Sequence, residues 1–172
     1  MSASAAPLIR PARPDDCPAI HAMVHELAEF ERLADHHVAT VDDLHAGLFG
    51  PHPSAAALVA ESAHSPVGFA LFFPTFSTFV GKPGLWLEDL YVRPAFRGQG
   101  LGRRLLREVA ATARARGCGR LEWAVLDWNT RAIDLYRSLG AVALDDWTTM
   151  RLCGAALADA GLRPSDDPAP AR

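Results

Sequence analysis

Residues 85–116 constrain the fold of this chain more than any other stretch. Residues 85–92 are mostly apolar, as in a buried β-strand, and an amphipathic helix pattern begins at Leu101. Between them the sequence reads Arg97-Gly98-Gln99-Gly100-Leu101-Gly102. Glycines at alternate positions let backbone N–H groups curl inward at a helix start, where the helix dipole adds positive charge. The stretch therefore predicts a strand, an anion-binding turn and a helix, with pyrophosphate as the expected anion.

Two widespread glycine motifs do not fit this turn. A P-loop requires Lys and then Ser or Thr after its last glycine, whereas Gly102 is followed by Arg103 and Arg104. A dinucleotide-binding turn requires its third glycine three residues after the second, where Arg103 stands. The sequence therefore favours neither nucleotide-binding class.

The rest of the chain predicts an α/β fold. Apolar periodicity indicates strands at residues 8–10, 57–61, 67–73, 85–92, 121–125 and 149–152, and helices at about 15–32, 40–50, 101–116 and 130–139. Residues 75–84 are predicted to form a loop. Several consecutive strands before the central helix favour a mixed sheet with helices on both faces. We predict a single domain over residues 1–160 and a disordered tail at residues 161–172.

Composition restricts the possible partners. The chain has 172 residues, 49% hydrophobic and 22% charged, which suits one globular domain. Its formal charge of −3 provides no basic field for nucleic acid. No apolar run is long enough for a membrane span or an export signal, so we expect a cytoplasmic protein. The three cysteines form no Cys-x-x-Cys pair, so neither a disulfide framework nor a metal site is expected.

The turn at residues 97–102 resembles the acetyl-CoA signature of the GNAT N-acetyltransferase superfamily, Arg/Gln-x-x-Gly-x-Gly/Ala. Residues 127–141 resemble the GNAT segment in which an Asn contacts the cofactor and a Tyr protonates the CoA thiolate. The resemblance implies a GNAT fold, with a mostly antiparallel sheet whose two central strands splay around acetyl-CoA. It assigns these two roles to Asn129 and Tyr136, which pattern alone would make a helix N-cap and a core aromatic residue.

The acetyl-CoA contacts implied by this resemblance lie at the end of the key strand, in the glycine turn and in the later segment. They are Leu90, Tyr91, Val92, Arg97, Gly98, Gln99, Gly100, Leu101, Gly102, Arg103, Asn129 and Tyr136.

Acetylation of an amine also needs a proton acceptor. An alkylamine with a pKa near 10.4 is almost entirely protonated at pH 7, so we expect a carboxylate base, acting directly or through water. Period-two alternation places Glu88 beside Trp86 and Leu90, and Asp89 on the opposite face. The pattern alone does not choose between them. Backbone N–H groups of residues 90–92 are candidate oxyanion donors.

Within the superfamily the chain most resembles the diamine (spermidine/spermine-like) N-acetyltransferases, over about residues 8–152. That resemblance assigns the water-bridged base to Glu88 and substrate contacts to Glu31, Glu88 and Asp89. Desolvation by apolar neighbours is expected to raise the pKa of Glu88. The chain has Ser77 and Thr78 where those enzymes carry an acid, and Phe30 where they carry a tyrosine, so a shorter amine or a lysine-analogue side chain is also compatible with the sequence.

The resemblance and the residues also indicate the partners of the chain and leave two alternative functions open. The partners are a small amine and a second copy of the chain, since the resemblance and the apolar loop at residues 76–80 both indicate a homodimer. A protein lysine or N-terminal acetyltransferase is the main alternative. A non-catalytic acyl-CoA-binding module is another alternative. Such a module would need neither Glu88 nor Tyr136, so the presence of both residues argues against it.

Overall fold

The computed structural model describes residues 6–160, which form a five-stranded sheet and five α-helices. The strands are β1 (Leu8–Pro11), β2 (Ala56–Ser62), β3 (Ser65–Ser77), β4 (Lys82–Val92) and β5 (Arg120–Glu122). The helices are α1 (Cys17–Phe30), α2 (Val41–Phe49), α3 (Leu101–Ala115), α4 (Thr130–Arg137) and α5 (Gly154–Ala160). Strands β1 to β4 pair antiparallel in chain order, and β5 adds to β4 in parallel. The predicted mixed, mostly antiparallel α/β sheet is confirmed.

Helices cover both faces of the sheet. On one face, Ile20 of α1 and Leu48 of α2 pack in a common core with Val59, Phe69 and Tyr91. The alternate strand residues Leu58, Ala60 and Ala70 are also buried and belong to the opposite face. There α3 lies against β2, β3 and β4 with a buried stripe that includes Leu105 and Val109.

Strand β4 contains one extra residue, Glu88, in its pairing with β3. Leu71 pairs with Asp89 and the next residue, Phe72, pairs with Leu87, so Glu88 has no partner across the ladder. This β-bulge shifts the side-chain alternation by one position. Leu87 and Asp89 therefore lie on opposite faces, whereas strict alternation predicted a shared face. Asp89 lies on the same face as Tyr91, toward α1.

Three element predictions are corrected. Residues 75–84 do not form a long loop, because β3 and β4 continue as a paired hairpin to Ser77 and Lys82. Strand β5 ends at Glu122, three residues before its predicted end. Residues 149–152 form no strand, and the short helix α5 follows them instead.

The chain groups into two compact units, one ending at Thr130 and one beginning at Arg131. The assignment of residues 1–160 to one domain stays a prediction, and the predicted tail at residues 161–172 lies outside the described residues. None of the helices within residues 6–160 combines the length and apolarity needed to cross a bilayer.

Candidate active site

The glycine turn has the backbone geometry that the sequence predicts. Gly98 and Gly100 adopt positive φ angles of 79° and 76°, a left-handed region that favours glycine, and Gly100 caps α3. The helix's first internal hydrogen bond runs from the Arg104 N–H to the Gly100 carbonyl, so the amides of Leu101 and Gly102 precede it. A Cβ atom added at Gly98 or Gly100 would meet nothing within 4 Å. Open space beside donor groups at a helix start fits a pyrophosphate.

Arg97 connects this turn to the preceding strand. Its Nε–H donates to the Val92 carbonyl at 2.7 Å. Its guanidinium lies 5.2 Å from the ring centre of Tyr91 and 5.4 Å from that of Phe30. The Arg97 side chain therefore anchors the turn to β4 and α1, and the backbone amides of the turn are the donors that remain for a ligand. Arg103 is half-buried in the first turn of α3.

In the part of the chain that the structure describes, the edge of β4 that faces β5 is unpaired along the stretch where acetyl-CoA is expected to bind. Pairing between the two strands covers only Gly84, Leu85 and Trp86 of β4. Among the described residues, the continuation of β4 through residues 87–92 has a strand partner on the β3 side alone. Alternate amides of that stretch, including candidates among Leu90, Tyr91 and Val92, therefore face the open edge. The β4–β5 pairing therefore ends after Trp86, and the splaying implied by the family resemblance stays a prediction.

Glu88 lies at the bulge and is exposed. Its carboxylate accepts a hydrogen bond from the Trp86 Nε1–H at 2.9 Å. The expected burial of Glu88 among apolar neighbours is wrong, because the extra residue in β4 turns its side chain toward solvent. An exposed carboxylate at this position is accessible to water.

Asp89 has the most strongly shifted pKa among the carboxylates at this end of β4. Burial is the main cause, and the carboxylates of Glu88 and Glu31 add to it, so the pKa of Asp89 rises to about 7. Glu31, at the C-terminal end of α1, has its own pKa raised by burial. Glu31, Glu88 and Asp89, the three residues predicted to contact the substrate, are therefore close enough to interact electrostatically. Both charged groups that perturb Asp89 are acids, which leaves its negative charge uncompensated by them.

An aromatic pair adjoins this acidic site. The rings of Phe30 and Trp128 lie 5.5 Å apart, and the two residues remain 43% and 52% exposed. Phe30 immediately precedes Glu31. No local sequence pattern marks this pair, because residues separated by about a hundred positions give no local signal of contact.

Asn129 immediately precedes α4, and Tyr136 lies in its last turn. The Asn129 amide donates to the Leu126 carbonyl at 2.8 Å, just before the helix. Tyr136 is half-buried in the second unit, and its carbonyl accepts the Ala141 N–H at 3.1 Å where α4 ends. The predicted helix that presents Tyr136 is therefore confirmed, and the catalytic role of Tyr136 stays a prediction.

Comparison with known proteins identifies the family. The model of the Acetyltransferase (GNAT) family matches residues 20–141. Thialysine N-epsilon-acetyltransferase of Sus scrofa is 40% identical over 161 residues, covering 87% of this chain and 94% of the relative. L-ornithine N5-acetyltransferase NATA1 of Arabidopsis thaliana is 34% identical over 194 residues, covering 87% of this chain and 85% of the relative.

A solved structure supports the same fold. The integron cassette protein VCH_CASS6 of V. cholerae superposes with a TM-score of 0.76 at 24% identity, covering 91% of this chain and 98% of the other. The family match, the sequence relatives and the open strand edge agree with one another. The chain belongs to the acetyltransferase (GNAT) family and is an N-acetyltransferase.

Proposed function

We propose that the protein transfers the acetyl group of acetyl-CoA to the primary amine of a small cationic substrate, a diamine or an amino acid with an amine-terminated side chain. The observation that carries this proposal is Asp89, a largely buried carboxylate whose charged neighbours, Glu31 and Glu88, are both acids. A bound alkylammonium supplies the missing positive charge. Thialysine and ornithine, named for two relatives, both carry such an amine.

The carboxylates and the end of β4 that does not pair with β5 support a direct transfer. Acetyl-CoA supplies an activated thioester carbonyl, and the neutral amine nitrogen attacks it, so that a C–N bond forms and the C–S bond breaks. Glu88, exposed at the bulge, accepts the amine proton through a water molecule, and Asp89 orients the ammonium before that proton leaves. The amides of residues 90–92 on the open edge of β4 donate to the carbonyl oxygen as it gains negative charge. Tyr136 donates its phenolic proton to the departing sulfur as the C–S bond breaks.

The cosubstrate contacts proposed here are the residues named from the sequence. Amides of the glycine turn hold the pyrophosphate of acetyl-CoA, and the end of β4 holds its thioester arm. Asn129 and Tyr136 also contact acetyl-CoA. The positive φ angles and the open space at Gly98 and Gly100 support this assignment.

Gly100→Asp is expected to weaken CoA binding by about 10- to 100-fold. The new side chain would require a strained left-handed backbone and would place a negative charge where the pyrophosphate is held. Calorimetry with CoA measures the effect, and Gly117→Asp, at a positive-φ glycine after the opposite end of α3, is the matched control for backbone strain. An unchanged affinity in Gly100→Asp would remove this turn from the cosubstrate site.

A screen of amines with acetyl-CoA tests the substrate class. Thialysine, ornithine and lysine are compared with spermidine and with a lysine-containing peptide at equal concentration, and acetylated products are identified by mass. We expect the free amino acids or a short diamine to react fastest. Preferential reaction of the peptide would favour a protein acetyltransferase. CoA binding with no acetylated product would favour a non-catalytic module.

We also propose that the protein is a homodimer. The tip of the β3–β4 hairpin exposes Phe76, Phe79 and Val80, and Phe79 is 93% exposed. A second copy would bury this apolar group. Light scattering at micromolar concentration should give twice the mass of one chain, and a single-chain mass would exclude this proposal.

A further inference from the structure

Glu26 lies on α1, and its carboxylate is turned toward the end of β4. Its Oε2 accepts the hydroxyl hydrogen of Tyr91 at 3.1 Å. Its Oε1 accepts the Nε–H of Arg93 at 3.1 Å and lies 3.1 Å from Nη2 of the same guanidinium. The Glu26 side chain is 33% exposed. Both carboxylate oxygens are therefore engaged by residues at the end of one strand.

Arg93 extends this contact to the neighbouring strand. Its Nη1 donates to the Pro66 carbonyl at 3.2 Å, and its backbone N–H donates to the Val67 carbonyl at 3.0 Å. Glu26 therefore fixes a side chain that bonds the start of β3 to the residue immediately after β4.

Tyr91 extends the contact in the other direction, to the glycine turn. Its ring lies against the Arg97 guanidinium, which also lies over Phe30 of α1 and donates to the Val92 carbonyl. A continuous set of contacts thus runs from Glu26 through Tyr91 to Arg97, the first residue of the turn. These side-chain contacts leave the amides of the turn available to a ligand.

We propose that Glu26 is a positioning residue for acetyl-CoA, holding the end of β4 and the glycine turn in the arrangement that binds the cosubstrate. This inference rests on the function proposed above. A carboxylate satisfies the Tyr91 and Arg93 donors together, whereas a Gln amide offers one acceptor oxygen and turns an NH₂ group toward the remaining donor. Removing the charge should therefore loosen the cosubstrate site and leave proton transfer from the amine intact.

The test compares CoA affinity by calorimetry with steady-state kinetics. We expect Glu26→Gln to weaken CoA binding about tenfold and to raise the KM for acetyl-CoA by a similar factor. The kcat and the KM for the amine should stay within about twofold of wild type. Glu29→Gln removes the same charge from an exposed position of α1 and should leave CoA affinity unchanged.

A double-mutant cycle identifies the route through Tyr91. Tyr91→Phe removes the hydroxyl bonded to Glu26 and should weaken CoA binding about threefold, and its effect should be non-additive with that of Glu26→Gln. Glu26→Asp should restore part of the affinity lost in Glu26→Gln.

Three results would overturn the inference. They are wild-type CoA affinity in Glu26→Gln, an equal loss in Glu29→Gln, and a selective rise in the KM for the amine. If Glu26→Gln does not fold, wild-type affinity in Tyr91→Phe overturns it equally. Failure of the wild-type protein itself to bind CoA would instead contradict the proposed function, so the two failures are distinguishable.

Discussion

Replacing Tyr136 by Phe is expected to lower kcat by about 10²- to 10⁴-fold, the range for a lost general acid. The ring and its packing on α4 are retained, and only the hydroxyl that donates a proton to the thiolate is removed. The loss should appear in kcat at saturating acetyl-CoA and amine, with little change in melting temperature.

Arg137→Gln is the matched control for Tyr136, because Arg137 is the exposed neighbour on the same helix and has no proposed role. It should keep the wild-type kcat. Normal turnover in Tyr136→Phe would return Tyr136 to the class of core aromatic residues that its spacing alone suggests.

The second large effect concerns the carboxylates of β4. Asp89→Asn is expected to lower kcat/KM for the amine by about 10²- to 10³-fold near neutral pH, because it removes the charge that orients the ammonium. Only ionised Asp89 supplies that charge, and its pKa is about 7. In the wild type, kcat/KM should therefore fall as the pH drops through about 7, in addition to the effect of the amine's own ionisation.

The Glu88→Gln variant distinguishes the role of Glu88 from that of Asp89. If Glu88 is the water-bridged base, this variant should be slowest relative to wild type near pH 7 and should partly recover at high pH, where the amine loses its proton to bulk water. The variant also removes one of the two anions that raise the pKa of Asp89. The acidic limb of its pH profile, the range in which kcat/KM falls as the pH drops, should therefore move to lower pH. Glu31→Gln should move the limb in the same direction, and Glu29→Gln should not move it.

The thermal stability of Asp89→Asn provides an independent check on the raised pKa of Asp89. The folded-state pKa of Asp89 lies above its reference value of about 3.9, so the native state loses stability as the pH rises through that window. The Asn variant should therefore melt at a higher temperature than wild type at pH 8. An active Asp89→Asn enzyme with a wild-type acidic limb would contradict the role of Asp89.

Local signals predicted much of this fold. Thr40 and Asp43 indicate a capping box, and the structure shows both of its hydrogen bonds at the start of α2. The alternate glycines likewise predicted the turn before α3. Such elements depend on residues only a few positions apart, so their physics can be read from the sequence.

The errors have a different cause. The bulge at Glu88 depends on how β3 pairs with β4, and nothing in residues 85–92 marks the extra residue. The hairpin beyond Thr75 is held by cross-strand pairing, although residues 75–84 are predicted to form a loop. The contacts of Glu26 likewise give no local signal, because its partners lie more than sixty positions away. These features follow from tertiary contacts, which a local pattern does not contain.

The open edge of β4 has a consequence for handling the protein. An unpaired strand edge presents backbone donors and acceptors that can pair with another chain, a common route to aggregation. In this protein the stretch of β4 that does not pair with β5 coincides with the proposed cosubstrate site, where function prevents its coverage by another strand. Acetyl-CoA would then shield the edge as well as supply the acetyl group, so preparations kept with CoA should resist precipitation better than those without it.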